Sequence, residues 1–416
     1  MGVGTQTAVC GPKRRARLLA PERAQPSLFE EAVFATGLAS LTSHRAEQTS
    51  CSSRSGVRGS SRTRERLDGS IPATYGKTKK VRICRNVTFV PGICAPGASA
   101  GPATRTVRKD VRVELIVGAT GYVGGRLLRR LVAEGRPVRV LVRDRSRLAV
   151  ENGVEIVEGD LASGRGLREA LAGATFAYYL AHSMESGRER DFQRIEQLCA
   201  KNFVAAAQRS GLERCVYLGG IAPRGRRSRH LASRLAVERS LLRGLPGATA
   251  LRASIVIGAH SASFQVIVRL VERLRVLPLP SWRDRRTAPV DERDVVTCLA
   301  RTPFTPAAAG RSIDIAAPET VTFGELVLLV AEHLGVGRLP LPVPGEHTPL
   351  AAPVVSRITG VPLALVRPLM ESLEADIVPR DRKAVEEIYG IRPRPLERAI
   401  ERALAELEAE RPLAAR

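Results

Sequence analysis

The stretch Glu114–Arg130, ELIVGATGYVGGRLLRR, decides the fold. Its beginning, with the preceding valine, reads VELIVGA, a short apolar run ending in glycine, as a buried parallel strand does. The following GYVGGRLLRRLVAEG has helical spacing, with Val123, Leu127, Leu128 and Leu131 on one face and Gly135 as a stop. Gly118, Gly121 and Gly124 stand between the two in the pattern Gly-x-x-Gly-x-x-Gly. The first permits a tight turn, the second lets backbone approach a diphosphate, and the third lets helix and strand lie close together. A diphosphate there meets the free N–H groups and the positive dipole end of the helix. Three glycines alone would mean only a tight turn. Their place between strand and helix makes nucleotide binding the reading.

The same alternation continues outward. PVRVLVR, VEIVEGD and ATFAYYLAH read as strands, a long helix fits 188–210, RCVYLGG is a strand, a helix fits 230–243, and ATALRASIVIG is another strand. Strands and helices at this spacing predict an α/β fold, a doubly wound parallel sheet of the Rossmann type. Beyond Gly258 the pattern loosens. Helices fit near 263–274 and 323–335, RTAPVDERDVVTCLA reads as a strand running into a helix, a strand fits near 311–316, and further helices follow from about Pro362 to Glu410. The expected organisation is an extension over 1–110, a nucleotide-binding core over 111–258, and a smaller C-terminal lobe over 259–416. That lobe completes the same domain by closing over the strand ends, where open α/β sheets bind ligands.

Residues 1–110 differ in kind. They hold 19 Lys and Arg against 7 acids, and five of the chain's seven lysines. They are rich in Ser, Arg, Gly and Thr without sustained periodicity, a composition that stays disordered because it cannot bury enough apolar surface. An organelle transit peptide, a nucleic-acid arm and a functionless extension are its three readings, and Glu22, Glu30, Glu31 and Glu47 count against the first. In the remainder, 46 basic and 35 acidic residues are intermixed and aromatics are scarce, so no nucleic-acid ligand is expected. No window reaches the ~18 apolar residues of a spanning helix, so no integral membrane segment is expected. Cys199, Cys215 and Cys298 fall in apolar segments, and no Cys-x-x-Cys pair exists. That predicts no metal site, no disulfide framework and a cytoplasmic, reducing setting.

The second strand ends in RDRSR. An acid near this point serves the ribose of NAD, whereas an arginine accommodates the extra phosphate of NADP. Arg143 takes the strand-end position, backed by Arg145 and Arg147, so NADP is preferred over NAD, with Asp144 as the residue that would serve NAD. Asp160 is placed to reach the adenine side. Leu180, Ala181 and His182 end the fourth strand, where the nicotinamide ribose would lie.

Taken in order, GATGYVGG, VEGDLA, AYYLAHSM, Asn202 within AKNFVAAAQ, LRASIVIGAHSASF and RTAPVDERDVV resemble the short-chain dehydrogenase/reductase superfamily. The likeness is closer to its atypical, NmrA-like branch and to bacterial NAD(P)H-binding proteins with a YYLxHSM signature. RPLMESLEADIVPRD and YGIRPRPLERAIERAL extend it, so it covers about 111–408. The resemblance implies that Gly118, Thr120, Gly121, Tyr122, Val123 and Gly124 cradle the phosphates. It implies that Arg143 meets the adenosine ribose or its phosphate, that Asp160 and Leu161 meet the adenine, and that LRASIVIG lies beside the nicotinamide. Ser183, Met184, Ser254 and Ile255 are then expected to line the substrate pocket.

The chain departs from that family where carbonyl chemistry is done. Members that reduce carbonyls carry a serine after the fifth strand and a Tyr-x-x-x-Lys on the next helix, whose lysine lowers the tyrosine's pKa for proton transfer. Here Gly219 and Gly220 follow CVYL, and RHLASRLAVE sets His230 and Arg234 at the four-residue spacing. Both would share one helical face. A histidine near its ordinary pKa of ~6.5 donates a proton at neutral pH. In the bland alternative His230 caps the helix start and Arg234 contacts cofactor or solvent, while His182 and Ser183 shape the pocket wall. Two function classes follow. One is an NADPH-dependent oxidoreductase or isomerase acting on a small apolar carbonyl compound or quinone. The other is a non-catalytic dinucleotide-binding redox sensor or assembly subunit with a protein partner. A sugar-nucleotide epimerase is a third, opposed by the missing Tyr and Lys. A homodimer fits all three.

Overall fold

The structure, a computed structural model, describes residues 1–2, 112–148, 153–182, 192–225, 227–345 and 348–413. The disorder expected of 1–110 thus lies outside the described residues, apart from the first two. Its sheet contains β1 (Val113–Val117), β2 (Val138–Val142), β3 (Val154–Glu158), β4 (Ala174–Tyr179), β5 (Arg214–Gly220), β6 (Ala248–Ala253) and β7 (Ser312–Ile315). Their spatial order is β7-β6-β5-β4-β1-β2-β3, with every neighbouring pair parallel. The winding direction reverses between β1 and β4, and the glycine turn follows β1 at that point. A crevice opens at such a reversal because successive connections leave to opposite faces.

The helices are α1 (Tyr122–Ala133), α2 (Leu167–Leu171), α3 (Phe192–Ala207), α4 (Arg229–Gly244), α5 (Ala262–Arg273), α6 (Glu292–Arg301), α7 (Phe323–His333), α8 (Thr348–Thr359), α9 (Leu363–Ser372), α10 (Ala384–Tyr389) and α11 (Leu396–Glu410). Successive strand residues face opposite sides. Ile116 of β1 therefore joins Leu127, Leu131, Val295 and Leu299 beneath α1 and α6. Leu115 and Val117 join Leu171, Phe203 and Leu241 beneath α2, α3 and α4. Both faces are apolar because both are covered, which is why these strands read as continuous hydrophobic runs. Cys199, Cys215 and Cys298 are buried thiols, and burial pushes Cys215 and Cys298 up to about 12. They are inert small hydrophobes, as expected.

A third core gathers Phe264, Val268, Trp282, Phe323, Leu326 and Ile400 from the C-terminal part of the chain. ATALRASIVIG does not continue as one strand: β6 ends at Ala253, and Val256–Ile257 pairs instead with Val290–Asp291. The break falls where the Ser254 hydroxyl donates to the Ala288 carbonyl and Val290 N–H donates to Ile255 O at 2.9 Å. The short helix α2 was not expected, and two larger elements were not either. One is a two-stranded parallel ribbon, Val276–Leu279 beside Leu339–Pro342, and the other is α8, which holds Pro353 inside it.

Candidate functional site

The glycine turn has a steric logic that can be checked residue by residue. Gly118 adopts φ +98°, a left-handed conformation, and a Cβ there would sit 2.7 Å from the Ala181 nitrogen. A Cβ on Gly124 would overlap the Gly118 carbonyl oxygen and lie 2.9 Å from its carbon. Both positions are therefore closed to any side chain by the protein itself. Gly121 is different, since its Cβ would meet only Gly118 O at 3.4 Å, an ordinary contact. Gly121 and Thr120 are exposed. The helical ladder starts with Gly125 N–H to Gly121 O at 2.8 Å, so the amides of Tyr122, Val123 and Gly124 precede it. No side chain caps α1 and its first turn has no acid. An uncapped, acid-free helix start with an open glycine fits a diphosphate.

At the far end of this crevice Arg143 is exposed just past β2. Asp144 is engaged locally: its carboxylate accepts from Ser146 N–H at 2.9 Å and Ser146 Oγ–H at 2.7 Å, capping the turn Arg145–Arg147. Those bonds hold Asp144 below its ordinary pKa. Asp160 accepts from Ala162 N–H and Ser163 N–H, both at 3.3 Å, and so shapes the turn after β3. Asn202, on α3, pins that turn by donating to Leu161 O and Ala162 O at 2.9 Å each.

Near the ends of β4 and β5 a polar cluster lies in an otherwise apolar setting. His182 Nδ1 meets Glu196 Oε1 at 2.7 Å, and its ring stacks on that of His230 with centroids 5.0 Å apart. Glu196, 3 % exposed, also accepts from Ser233 Oγ–H at 2.7 Å and has Arg234 at 4.0 Å. Burial drives the Glu196 carboxyl upward, yet the His182 hydrogen bond and the Arg234 charge outweigh it and hold the group at about 2. Burial lowers both imidazoles, helped by Arg234, and takes His230 to about 3. The expectation of a histidine near its ordinary pKa is thereby corrected: His230 is neutral at neutral pH because it is desolvated beside a cation.

The proposed cap is corrected too. Ser228 caps α4, accepting from Leu231 N–H at 3.2 Å, while His230 turns inward and its buried Nδ1 has no hydrogen-bond partner among the described residues. Arg234 is buried rather than facing solvent. It donates to the Leu218 carbonyl and lies 4.9 Å over the Tyr217 ring, whose hydroxyl donates to Arg234 O at 3.0 Å. A side chain at Gly219 would come within 2.8 Å of the Tyr217 ring, and one at Gly220 within 2.8 Å of Leu231. Ring and leucine occupy the space a hydroxyl-bearing residue would need.

Tyr122 has a second task besides starting α1. Its hydroxyl donates to Glu292, which also receives Arg402 of α11, with Arg126 Nε at 3.4 Å. Gly258 is glycine because a Cβ there would overlap the Tyr122 hydroxyl and lie 2.5 Å from the Glu292 carboxylate. The motif PVDERDVV is thus a hub: Asp291 caps α6 through Arg293 N–H at 2.7 Å, Glu292 holds Tyr122, and buried Asp294 accepts from Arg394 N–H at 2.7 Å.

The structure places Gly118–Gly124, Leu180, Ala181 and His182 along one sheet edge and gathers His182, His230 and Arg234 in the polar cluster. Ser254 is committed to the Ala288 carbonyl, Ile255 adjoins the third core, and Ser183 and Met184 lie outside the described residues. Sequence reasoning missed Glu196, although an acid beside Cys199, Ala200 and Phe203 on the buried face of α3 was a visible anomaly. A cavity of about 740 Å³, lined in part by Arg112, Glu114, Arg136 and Phe304, opens at the amino ends of β1 and β2. It is on the wrong edge for the nucleotide, and its Arg136 already donates to Glu114 at 2.6 Å.

A family model described as NAD(P)H-binding matches residues 118–242. The sterol demethylase protein B of Methylococcus capsulatus is 33 % identical over 125 residues, which is 28 % of this chain and 38 % of that protein. The ceramide reductase of Caulobacter vibrioides is 31 % identical over 179 residues, 42 % of this chain and 55 % of that protein. The chain therefore matches between about a third and about half of the length of these curated relatives. Among solved structures, a short-chain dehydrogenase/reductase superfamily protein of Agrobacterium tumefaciens with bound NAD superposes with a TM-score of 0.54 at 17 % identity, over 72 % of this chain and 98 % of that one. No helix among the described residues is long and apolar enough to cross a membrane. Residues 118–242 thus match NAD(P)H-binding proteins, and the chain shares the fold of that dehydrogenase/reductase.

Proposed function

We propose that this chain is an NADPH-dependent reductase of an apolar, lipid-like carbonyl compound or quinone. The observation that carries the reading is the His182–His230–Glu196 cluster. It lies beside the glycine turn, because the loop bearing His182 touches Gly118 through Ala181. Two relatives named for a sterol and for a ceramide support an apolar substrate.

A bound NADPH would supply hydride. The backbone at Thr120–Gly124 holds its diphosphate, and Arg143 receives the ribose phosphate that distinguishes NADP from NAD. Glu196 fixes the tautomer and orientation of His182, and His182 in turn holds the His230 ring by stacking. Neutral His230 acts as a hydrogen-bond donor to the substrate oxygen and polarises it, as a neutral imidazole with depressed pKa can. Negative charge growing on that oxygen favours the protonated ring. His230 passes its N–H proton to that oxygen and takes one back from solvent, so that carbonyl, hydride and one solvent proton together give the alcohol. Arg234 braces the end of β5 through the Leu218 carbonyl.

A second reading is favoured by specific observations as well. Tyr217 and Leu231 fill the hydroxyl position at Gly219 and Gly220, and His230 is uncharged at rest. A non-catalytic dinucleotide-binding redox sensor or assembly subunit would need neither. Titrating the protein with NADPH and NADH, followed by nucleotide fluorescence, and then assaying a panel of sterol ketones, ketolipids and quinones separates the two. In a reductase, His230→Ala leaves the NADPH affinity within about threefold and lowers kcat by about 10²–10⁴-fold. Tight NADPH binding without turnover of any carbonyl leaves the sensor. Absence of binding removes both.

A further inference from the structure

The parallel ribbon of the C-terminal lobe leaves apolar side chains in water. Its strands pair Val276 with Leu339 and Pro278 with Leu341. Residues paired in this way share a face, and Val276, Leu339 and Leu341 are 43 %, 64 % and 37 % exposed. The opposite side is anchored, since Leu277 and Leu279 are buried in the third core. Helix α8 follows the ribbon after a short link and finishes beside Arg273, which donates to Ile358 O. It packs against α5 and α9 and carries Leu350, 76 % exposed, and Val354, 38 % exposed, one turn apart.

Two features limit what can cover this face. Pro340 and Pro342 lie in the outer strand and remove the N–H donors that another strand would need, so sheet extension by a second chain is opposed. The rim, moreover, is basic. Exposed Arg273 and Arg275 precede the first strand, half-buried Arg338 precedes the second, and Leu339 N–H donates to Arg275 O at 3.0 Å, which brings the two strand starts together. The nearby acid, Glu272, is withdrawn, its side chain 3 % exposed and paired with Arg411 at 3.3 Å. Apolar side chains fronted by arginines match the boundary between acyl chains and anionic headgroups.

We infer that Val276, Leu339 and Leu341, rimmed by Arg273, Arg275 and Arg338, dock this protein on an anionic phospholipid surface. The inference does not rest on catalysis, and its test involves no turnover. It concerns shallow insertion of a ribbon. The arginines supply long-range attraction and the leucines a short-range hold, so binding requires both.

The experiment is co-sedimentation of the full chain with phosphatidylcholine vesicles and with vesicles in which about one third of the lipid is phosphatidylserine. The expected result is binding to the mixed vesicles only, weakened at high salt. The double variant Leu339→Glu/Leu341→Glu is expected to lower the partition coefficient at least about tenfold without moving the melting temperature, since both residues are exposed. Arg275→Glu/Arg338→Glu provides the same test should the leucine variant fold poorly. The basic residues of 1–110 are present in all these proteins. Vesicle binding that survives both double variants would belong to those residues and overturn the proposal. A concentration-dependent dimer that the leucine variant abolishes would assign the face to a second copy and overturn it equally.

Discussion

The glycine turn and the start of α4 sit on the same edge of one sheet and obey different rules. At the turn the contacts are made by backbone, and Gly118 and Gly124 are fixed by collisions inside the protein. At α4 the contacts are made by side chains, and where the short-chain dehydrogenase/reductase pattern has serine, tyrosine and lysine, this chain has Gly219 with Gly220, His230 and Arg234. A diphosphate turn built from amides tolerates change in the neighbouring side chains, because its own contacts need none of them. The turn thus fits a nucleotide by its backbone alone and leaves the reaction open.

The strongest way to break this contrast is Gly124→Ala. Its methyl group would collide with the Gly118 carbonyl, so α1 must lift from the turn. The expected outcome is loss of measurable NADPH binding together with destabilisation of about 1–3 kcal/mol in urea unfolding. Gly121→Ala separates ligand from fold: its methyl has room in the free protein, so stability holds while affinity falls. Equal loss of stability in both variants would mean that the second glycine is structural after all.

Arg143→Glu should have the next largest effect. NADPH affinity is expected to fall about 10–100-fold, the range of one or two hydrogen bonds to a charged group, with NADH much less affected. An equal fall for both nucleotides would remove the preference for NADP and return Asp144 to consideration.

The smallest effect concerns the histidine cluster and is read from stability against pH. His230 is held at about 3 when folded, while an unfolded histidine titrates near ~6.5. The unfolded chain therefore binds protons that the folded chain refuses. Stability is complete above ~6.5 and falls as pH drops from there toward about 3, by at most ~1.4 kcal/mol per pH unit for each such histidine. Glu196, held at about 2, loses its contribution as pH falls through and below the ordinary carboxylate range, and Glu292 and Asp294 are raised by burial, so the histidine share is read as the difference between the wild type and a His230 variant from pH ~7 to ~5. His230→Gln should flatten the slope there, and an unchanged slope would place His230 in water rather than against Arg234.

Much of this was legible in the sequence because it depends on neighbours along the chain. Alternating strands and helices gave the sheet, and the glycine spacing gave the turn. Leu180, Ala181 and His182 followed from their place at a strand end. What was hidden depends on chain segments that meet only in the folded state. Glu196 joins His182 across 14 residues and Ser233 across 37, and Tyr122 joins Glu292 across 170. No periodicity encodes such meetings. The ribbon was hidden for another reason: VLPLP and LPLPVP contain prolines, which read as breaks, although a strand with a solvent-facing edge tolerates them. Pro353 obscured α8 similarly.

The bond between Tyr122 and Glu292 joins events at opposite ends of the sequence. Tyr122 is the first residue of the phosphate-facing helix, and Glu292 is gripped by Arg402 of the last helix, which also closes the third core through Ile400 and Leu404. A nucleotide bound at the turn, as proposed, would therefore reach α11 by shifting Tyr122 and its bond to Glu292. Whatever nucleotide does to the grip on α11, loosening α11 must do to nucleotide affinity in equal measure. Under the proposed function, NADPH would thus change the hydrogen-exchange protection of α11, a coupling carried by Tyr122, Glu292 and Arg402.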